Sequence, residues 1–170
     1  MSPSPIVRFA AAVACLVGVS SCGTVASCLG MAACLPNYTA PTGPAVANLN
    51  FKLDGSVPRV FYEMQIALGA DAELKSGQYI GIIRYMAPVT TLETTTATGS
   101  RVYIRLIATI PHQRCINVAS FVPEAGRTYD ISQVPRNGSC AISVRDNQTG
   151  SWPSNYQVHD ANRAVPFILN

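Results

Sequence analysis

Six cysteines, at positions 15, 22, 28, 34, 115 and 140, are the most reactive side chains of this 170-residue chain, and their spacing decides which thiol chemistry is open to them. A zinc site wants thiolates in close pairs with imidazoles nearby. No C-x-x-C pair occurs, and His112 and His159 are the only nitrogen ligands, so a metal is disfavoured. Nucleophilic catalysis is no better served. The patterns G-x-S-x-G, H-E-x-x-H and S-x-x-K are absent, as is a phosphate-binding glycine loop. His112 follows Pro111 in an expected loop, and His159 stands beside Asp160 in the tail. Adjacency in sequence does not hold an imidazole as a catalytic dyad must. Asp71 and Glu73, two residues apart, read as solvated charge rather than an acid/base pair. No catalytic residue, metal or cofactor is expected.

The sole tryptophan, Trp152, has Ser151, Pro153 and Tyr156 around it. Aromatics on an exposed loop serve sugar-stacking or protein-contact sites, which makes Trp152 and Tyr156 the candidate binding surface. The favoured reading of Trp152 alone is a plug at the open end of the fold. Ten of the 12 Lys and Arg residues are Arg, but they are scattered without a run of three. Displacing counterions from nucleic acid requires a clustered basic face, so nucleic acid is not an expected partner.

The N-terminus carries an address. Met1 to Arg8 is weakly positive, and Phe9 to Val19 is an apolar run of 11 residues that ends at Ser20-Ser21-Cys22. That length suits the core of a secretion signal, about 7–15 residues, and falls short of the roughly 18–20 that span a bilayer. Val19-Ser20-Ser21-Cys22 resembles the lipobox of bacterial lipoproteins: a branched apolar residue, two small residues, then Cys. The resemblance implies that Cys22 receives a diacylglycerol, that cleavage falls just before it, and that the new amino terminus is acylated. One acyl chain holds weakly and two or three hold durably, at about 0.8 kcal/mol per buried CH₂. Val25-Ala26-Ser27-Cys28 also fits the pattern but would place Ser20, Ser21 and Gly23 inside the apolar core; Ala12-Val13-Ala14-Cys15 leaves only six apolar residues before it. Gly23 stands where, by the same resemblance, an Asp would favour the inner membrane. The expected address is therefore the outer membrane, facing the periplasm.

With Cys15 removed and Cys22 lipidated, four thiols remain, the even number that an exported disulfide framework predicts. The preferred pairing is Cys115 with Cys140, and Cys28 with Cys34 in the tether, where so short a loop stabilises little.

Positioning falls to strands. Gly23 to Ala45 has no charged residue and no periodicity, and reads as a solvated tether. Val46 to Leu53 alternates, with Leu49, Phe51 and Leu53 on one face. Val60 to Leu68 fits strand or helix, and Ala70 to Ser76 is the best helical turn. Tyr79 to Met86 reads as a buried strand with Gly81 as a bulge, and Thr90 to Gly99 as a loop or exposed edge. Arg101 to Ile110 is the strongest strand, with Val102, Ile104, Leu106 and Ala108 on one face and Tyr103 and Ile107 on the other.

Cys115 to Val122, Arg127 to Val134 and Ser139 to Asp146, joined by turn formers, predict a three-strand meander. Tyr129, three residues after Gly126, resembles a corner tyrosine that pins a turn. Outer strands of a flat meander lie about 10 Å apart, whereas a disulfide needs less than about 7 Å between Cα atoms. A Cys115–Cys140 bond thus requires a bend, a splayed strand, or the two strands facing each other from different sheets. Val165 to Leu169 would add an edge strand containing Pro166.

Short strands with regular turn signals imply an all-β, antiparallel β-sandwich of immunoglobulin-like or transthyretin-like type. The organisation expected is a signal peptide over 1–21, a lipidated linker over 22–45, and a sandwich domain over 46–170. Three functions compete. The first is a non-enzymatic envelope module binding a protein or a glycan. The others are an accessory subunit of a secretion or assembly complex, and a small periplasmic hydrolase using His112 or His159.

Overall fold

The alternation that predicts strands is realised as two packed sheets. A computed structural model describes residues 35–53, 63–84, 90–110, 113–136 and 139–166. Among these residues there is no helix and there are nine strands. They are β1 (Val46–Leu53), β2 (Glu63–Gly69), β3 (Gln78–Arg84), β4 (Thr91–Ala97), β5 (Val102–Ile110), β6 (Gln113–Phe121), β7 (Thr128–Arg136), β8 (Ser139–Asp146) and β9 (Gln157–Pro166). One sheet has the order β4-β1-β7-β8 and the other β3-β2-β5-β6-β9. Neighbours are antiparallel apart from β1 and β7, which run parallel. The fold is an all-β sandwich.

Side chains of one parity enter the core. Leu49, Phe51, Ile131 and Val144 from the first sheet meet Met64, Ile66, Ile104, Leu106 and Phe121 from the second. Burying each large apolar side chain contributes about 1.5–3 kcal/mol, which explains the strict register. The inward face of β5 is the predicted one. Its opposite face is also covered: Ile107, Val118, Ala67 and Leu74 form a second cluster with Leu35, Tyr79 and Tyr103 packed on it. Gly81 lies at a bulge opposite Ile66 and Ala67. A methyl group there would come within 2.5 Å of Leu92 Cδ1, so glycine lets the sheet edges approach. Thr91 to Ala97 is the edge of its sheet.

Several expectations are corrected. Cys115 to Val122, Arg127 to Val134 and Ser139 to Asp146 do not form a meander. β6 pairs with β5 and β9, whereas β7 pairs with β1 and β8. The Pro123 to Gly126 turn hands the chain from one sheet to the other, because turn formers encode a reversal and not the neighbour it leads to. The Cys115–Cys140 bond therefore joins facing strands of two sheets, at a Cα–Cα distance of 5.9 Å. Ala70 to Ser76 is no helical turn. Leu74 and Gly77 close two tight turns through N–H groups donated to Asp71 O (3.1 Å) and Leu74 O (3.0 Å). Leu74 holds a left-handed φ of 52°. That conformation costs about 1–2 kcal/mol, and burial of the Leu74 side chain in the second cluster offsets it. The last strand begins at Gln157, well before Val165.

Residues 35–45, within the expected tether, are docked. Tyr38 N–H donates to Tyr79 O and Tyr79 N–H to Pro36 O, both at 2.7 Å. Tyr38 Oη donates to Thr95 O at 2.8 Å, and Thr95 Oγ1 donates to Pro41 O at 2.6 Å. This strap bridges β3 and β4, the edges of the two sheets, and satisfies part of the backbone that an open edge would expose.

The strand registers put the strap, the β2–β3 turn, the β4–β5, β6–β7 and β8–β9 connections, and so the entry of the chain, at one end of the sandwich. Tyr129 pins this end: it is buried and its Oη accepts the Glu124 N–H at 3.1 Å. Burial pushes its phenol pKa up, which keeps it neutral. The corner-tyrosine reading holds.

Candidate functional site

The β8–β9 connection is braced by its own polar groups. Asp146 Oδ1 accepts the Gln148 N–H at 2.8 Å, Asp146 O accepts the Gly150 N–H at 2.8 Å, and Ser151 O accepts the Asp146 N–H at 2.9 Å. Gly150 supplies the left-handed step, with φ of 70°. The brace carries Trp152 outward, 43% exposed, so Trp152 is not the expected plug. Its ring lies 4.7 Å from that of Tyr156, and the Arg145 guanidinium sits 4.0 Å above its centroid. At an exposed site such a cation–π contact contributes about 0.5–1 kcal/mol.

Tyr156 is the fixed member of this group. It packs on the core, and its Oη donates to Ile142 O at 2.9 Å. Burial raises its phenol pKa to about 12, against a smaller lowering by Arg145, so it remains a donor throughout the physiological range. Val158, two residues on, is 58% exposed. Trp152, Tyr156 and Arg145 make a ledge on the loop-bearing end. The two aromatics of the expected binding surface are thus brought together. Arg145 was not foreseen: its approach depends on the loop folding back over β8, which no local pattern reports.

A polar face continues from the ledge. Glu93, Asn50, Asp130 and Arg145 are direct cross-strand partners on β4, β1, β7 and β8. Asp130 holds the centre, accepting from Asn50 Nδ2 at 2.8 Å and from Lys52 Nζ at 2.6 Å. Beside this row lies a polar groove of about 560 Å³, lined by Asn48, Glu93, Thr128 and Asn147 among others.

The histidine reading changes as well. His159 is on β9 and its Nε2 lies 2.7 Å from Ser120 Oγ, with the Tyr103 ring 5.2 Å away, centroid to centroid. Arg101 Nη1 donates to the same hydroxyl at 2.9 Å. A Ser–His contact is the geometry of an activated nucleophile. Here, however, Ser120 is 0% exposed, so its oxygen cannot be reached by an acyl substrate. The hydroxyl positions its neighbours instead. Asp71 and Glu73 are likewise structural. The Asp71 carboxylate accepts the Lys75 N–H (3.1 Å) and the Ser76 hydroxyl (3.2 Å), and the former chiefly holds its pKa below the usual carboxylate value. Glu73 offers its backbone carbonyl to Arg105 Nη2 at 2.9 Å.

No group of three or more His, Cys, Asp and Glu side chains suited to a metal occurs among the described residues, and no helix among them is long and apolar enough to cross a membrane. Cys22, Cys28, Cys34 and His112 lie outside the described residues. The chain matches no known protein family and no curated protein.

Proposed function

We propose that this protein is an exported lipoprotein, held by acyl chains on Cys22, whose sandwich domain is a non-enzymatic module that recognises a protein at the membrane. The stack of Arg145, Trp152 and Tyr156 carries the recognition reading. Trp, Tyr and Arg are the residue types that dominate protein-interface energetics, and a half-exposed Trp braced by a rigid Tyr gives up little freedom on binding. A sugar ring would want a free aromatic face. The guanidinium already lies over the Trp152 ring, which favours a protein over a glycan.

A disulfide between Cys115 and Cys140 supports export, since cytosolic thiols are kept reduced. The strap supports a membrane-proximal partner. Residues 23–34 separate Cys22 from the docked Leu35, a span of about 45 Å at full extension. The ledge lies on the same end as the entering chain, within reach of a protein seated in that membrane. An accessory subunit of an assembly complex is a special case of this reading.

Photo-crosslinking from Ser154, an exposed residue of the ledge loop, tests it in intact envelopes. The expected result is one discrete protein adduct that disappears in the Trp152→Ala/Arg145→Ala variant. Cys22→Ala should abolish lipid labelling and release the protein from membranes. An adduct indifferent to the double variant, or one made only with polysaccharide, overturns the recognition reading. Lipid labelling that persists in Cys22→Ala moves the anchor to Cys28.

A further inference from the structure

Arg145 is the exposed cation of the ledge, and only part of its guanidinium is committed. One face is taken, because Cζ lies 4.0 Å from the centroid of the Trp152 ring. The edge is not. Among the described residues the ion pairs engage Lys52, Arg84 and Arg127, and the Arg145 guanidinium makes neither an ion pair nor a hydrogen bond. The N–H donors of a guanidinium lie in its plane, so stacking on a ring covers none of them.

The stack also fixes where this cation stands. Trp152 leans on Tyr156 at 4.7 Å, and Tyr156 packs on the core with its Oη bonded to Ile142 O. Arg145 itself springs from β8, opposite Asp130 of β7. A long side chain held at its root and at its tip has less rotamer freedom left to lose on meeting a ligand. A fork of coplanar donors held at the surface matches a planar acceptor with two oxygens, which is a carboxylate.

Local charge calls for one such group. Asp130 is engaged by Lys52 Nζ at 2.6 Å and Asn50 Nδ2 at 2.8 Å. Arg127 is occupied by Glu124 at 3.4 Å and Asp146 at 3.3 Å. Arg145 is therefore a single uncompensated cation and not part of a basic cluster. Anionic membranes attract clustered Lys and Arg, so the arrangement suits a side-chain carboxylate of a protein better than lipid phosphates. Trp152, 43% exposed beside it, offers apolar area to a neighbour of that acid.

We propose that the protein partner docks an Asp or Glu side chain on Arg145, its carboxylate along the open edge of the guanidinium and an adjacent apolar side chain against Trp152. This docking rests on the recognition reading above and adds the chemistry that the ledge selects.

Photo-crosslinking from Ser154 in intact envelopes, with Trp152 kept, tests the carboxylate by itself. Arg145→Gln should lower the yield of protein adduct at least about tenfold, the effect of losing a charge-assisted pair. Arg145→Lys keeps the charge but not the fork, and its yield should fall in between. Lys75→Gln removes another exposed positive charge, on the β2–β3 turn, and should leave the yield unchanged. Arg145→Glu should lose the adduct and regain it when a carboxylate in the crosslinked segment of the partner is changed to Lys. A yield indifferent to Arg145→Gln overturns the carboxylate and leaves the recognition reading standing. Equal losses in Arg145→Gln and Lys75→Gln, an adduct with phospholipid in place of protein, or failure of the reversal to rescue overturn it as well. No adduct from the chain with Arg145 and Trp152 intact overturns both readings together.

Discussion

Removing the Cys115–Cys140 bond tests how the two sheets are held together. The bond closes a segment of 25 residues between β6 and β8. Loop-closure entropy for that length is worth about 3.5 kcal/mol at 25 °C, from −2.1 − 1.5R ln n with n near 25. Both residues are buried, so a Cys115→Ala/Cys140→Ala variant also loses two small apolar contacts, and the figure is a floor rather than a ceiling. For a domain of about 125 residues it corresponds to a fall in Tm of roughly 10–15 °C. Urea unfolding with and without reductant is the assay. The reduced protein and the double variant should both show a lowered midpoint, and both should stay folded in water, because the cluster that holds Cys115 and Cys140 keeps its larger members Phe51, Leu106 and Ile131 when the bond is gone. Both thiols should resist alkylation in the native, unreduced protein. Ready alkylation, or a midpoint unmoved by reductant, would refute the idea that this crosslink ties the sheets.

Three further outcomes follow from single side chains. Tyr129→Phe leaves the Glu124 N–H without its acceptor, and should cost about 1 kcal/mol in the same urea assay; no measurable loss would show that water replaces the phenol. Asn117 is 2% exposed and its Nδ2 has no hydrogen-bond partner among the described residues. Asn117→Leu, nearly isosteric, should be neutral or stabilising by up to about 1 kcal/mol, and a clear drop in Tm would mean the amide is satisfied. Tyr156 has a folded pKa near 12 against an ordinary 10. A raised pKa means that its stabilising contribution is complete below pH 10 and is lost as pH rises through 12. Stability of the wild type should therefore fall along that alkaline limb more steeply than that of Tyr156→Phe, and parallel curves would contradict the assignment.

How far these features can be read from the chain differs by element. Val46–Leu53 has its bounds and its inward face written in strict alternation, and β5 likewise presents Val102, Ile104, Leu106 and Ala108 to the core. Both follow from a period of two that each strand carries within itself. Tyr129 was legible for a similar reason: its partner, Glu124, is five residues away. Leu74 shows the opposite case. Local propensity favours a helical turn at Ala70 to Ser76, but the turn must bring Leu74 down onto Ile107 and Val118, and that packing overrides the helix.

The ledge and the Arg101–Ser120–His159 cluster were less legible still. Trp152 and Tyr156 stand out by type, but exposure of one and burial of the other are set by a loop that returns to β8. Arg101, Ser120 and His159 are far apart in the chain and meet only because β5, β6 and β9 are neighbours in one sheet.

The primary chain alone dictates a strand-rich polypeptide and makes Cys115 and Cys140 the preferred crosslink of its domain. The assignment of each strand to a sheet, the docking of residues 35–45, and the meeting of Arg145 with Trp152 required the folded whole. Alternation and turn chemistry act over a few residues, so local segments encode them. Choosing a neighbour compares the burial won by every possible pairing, and that sum exists only when all the strands are present at once.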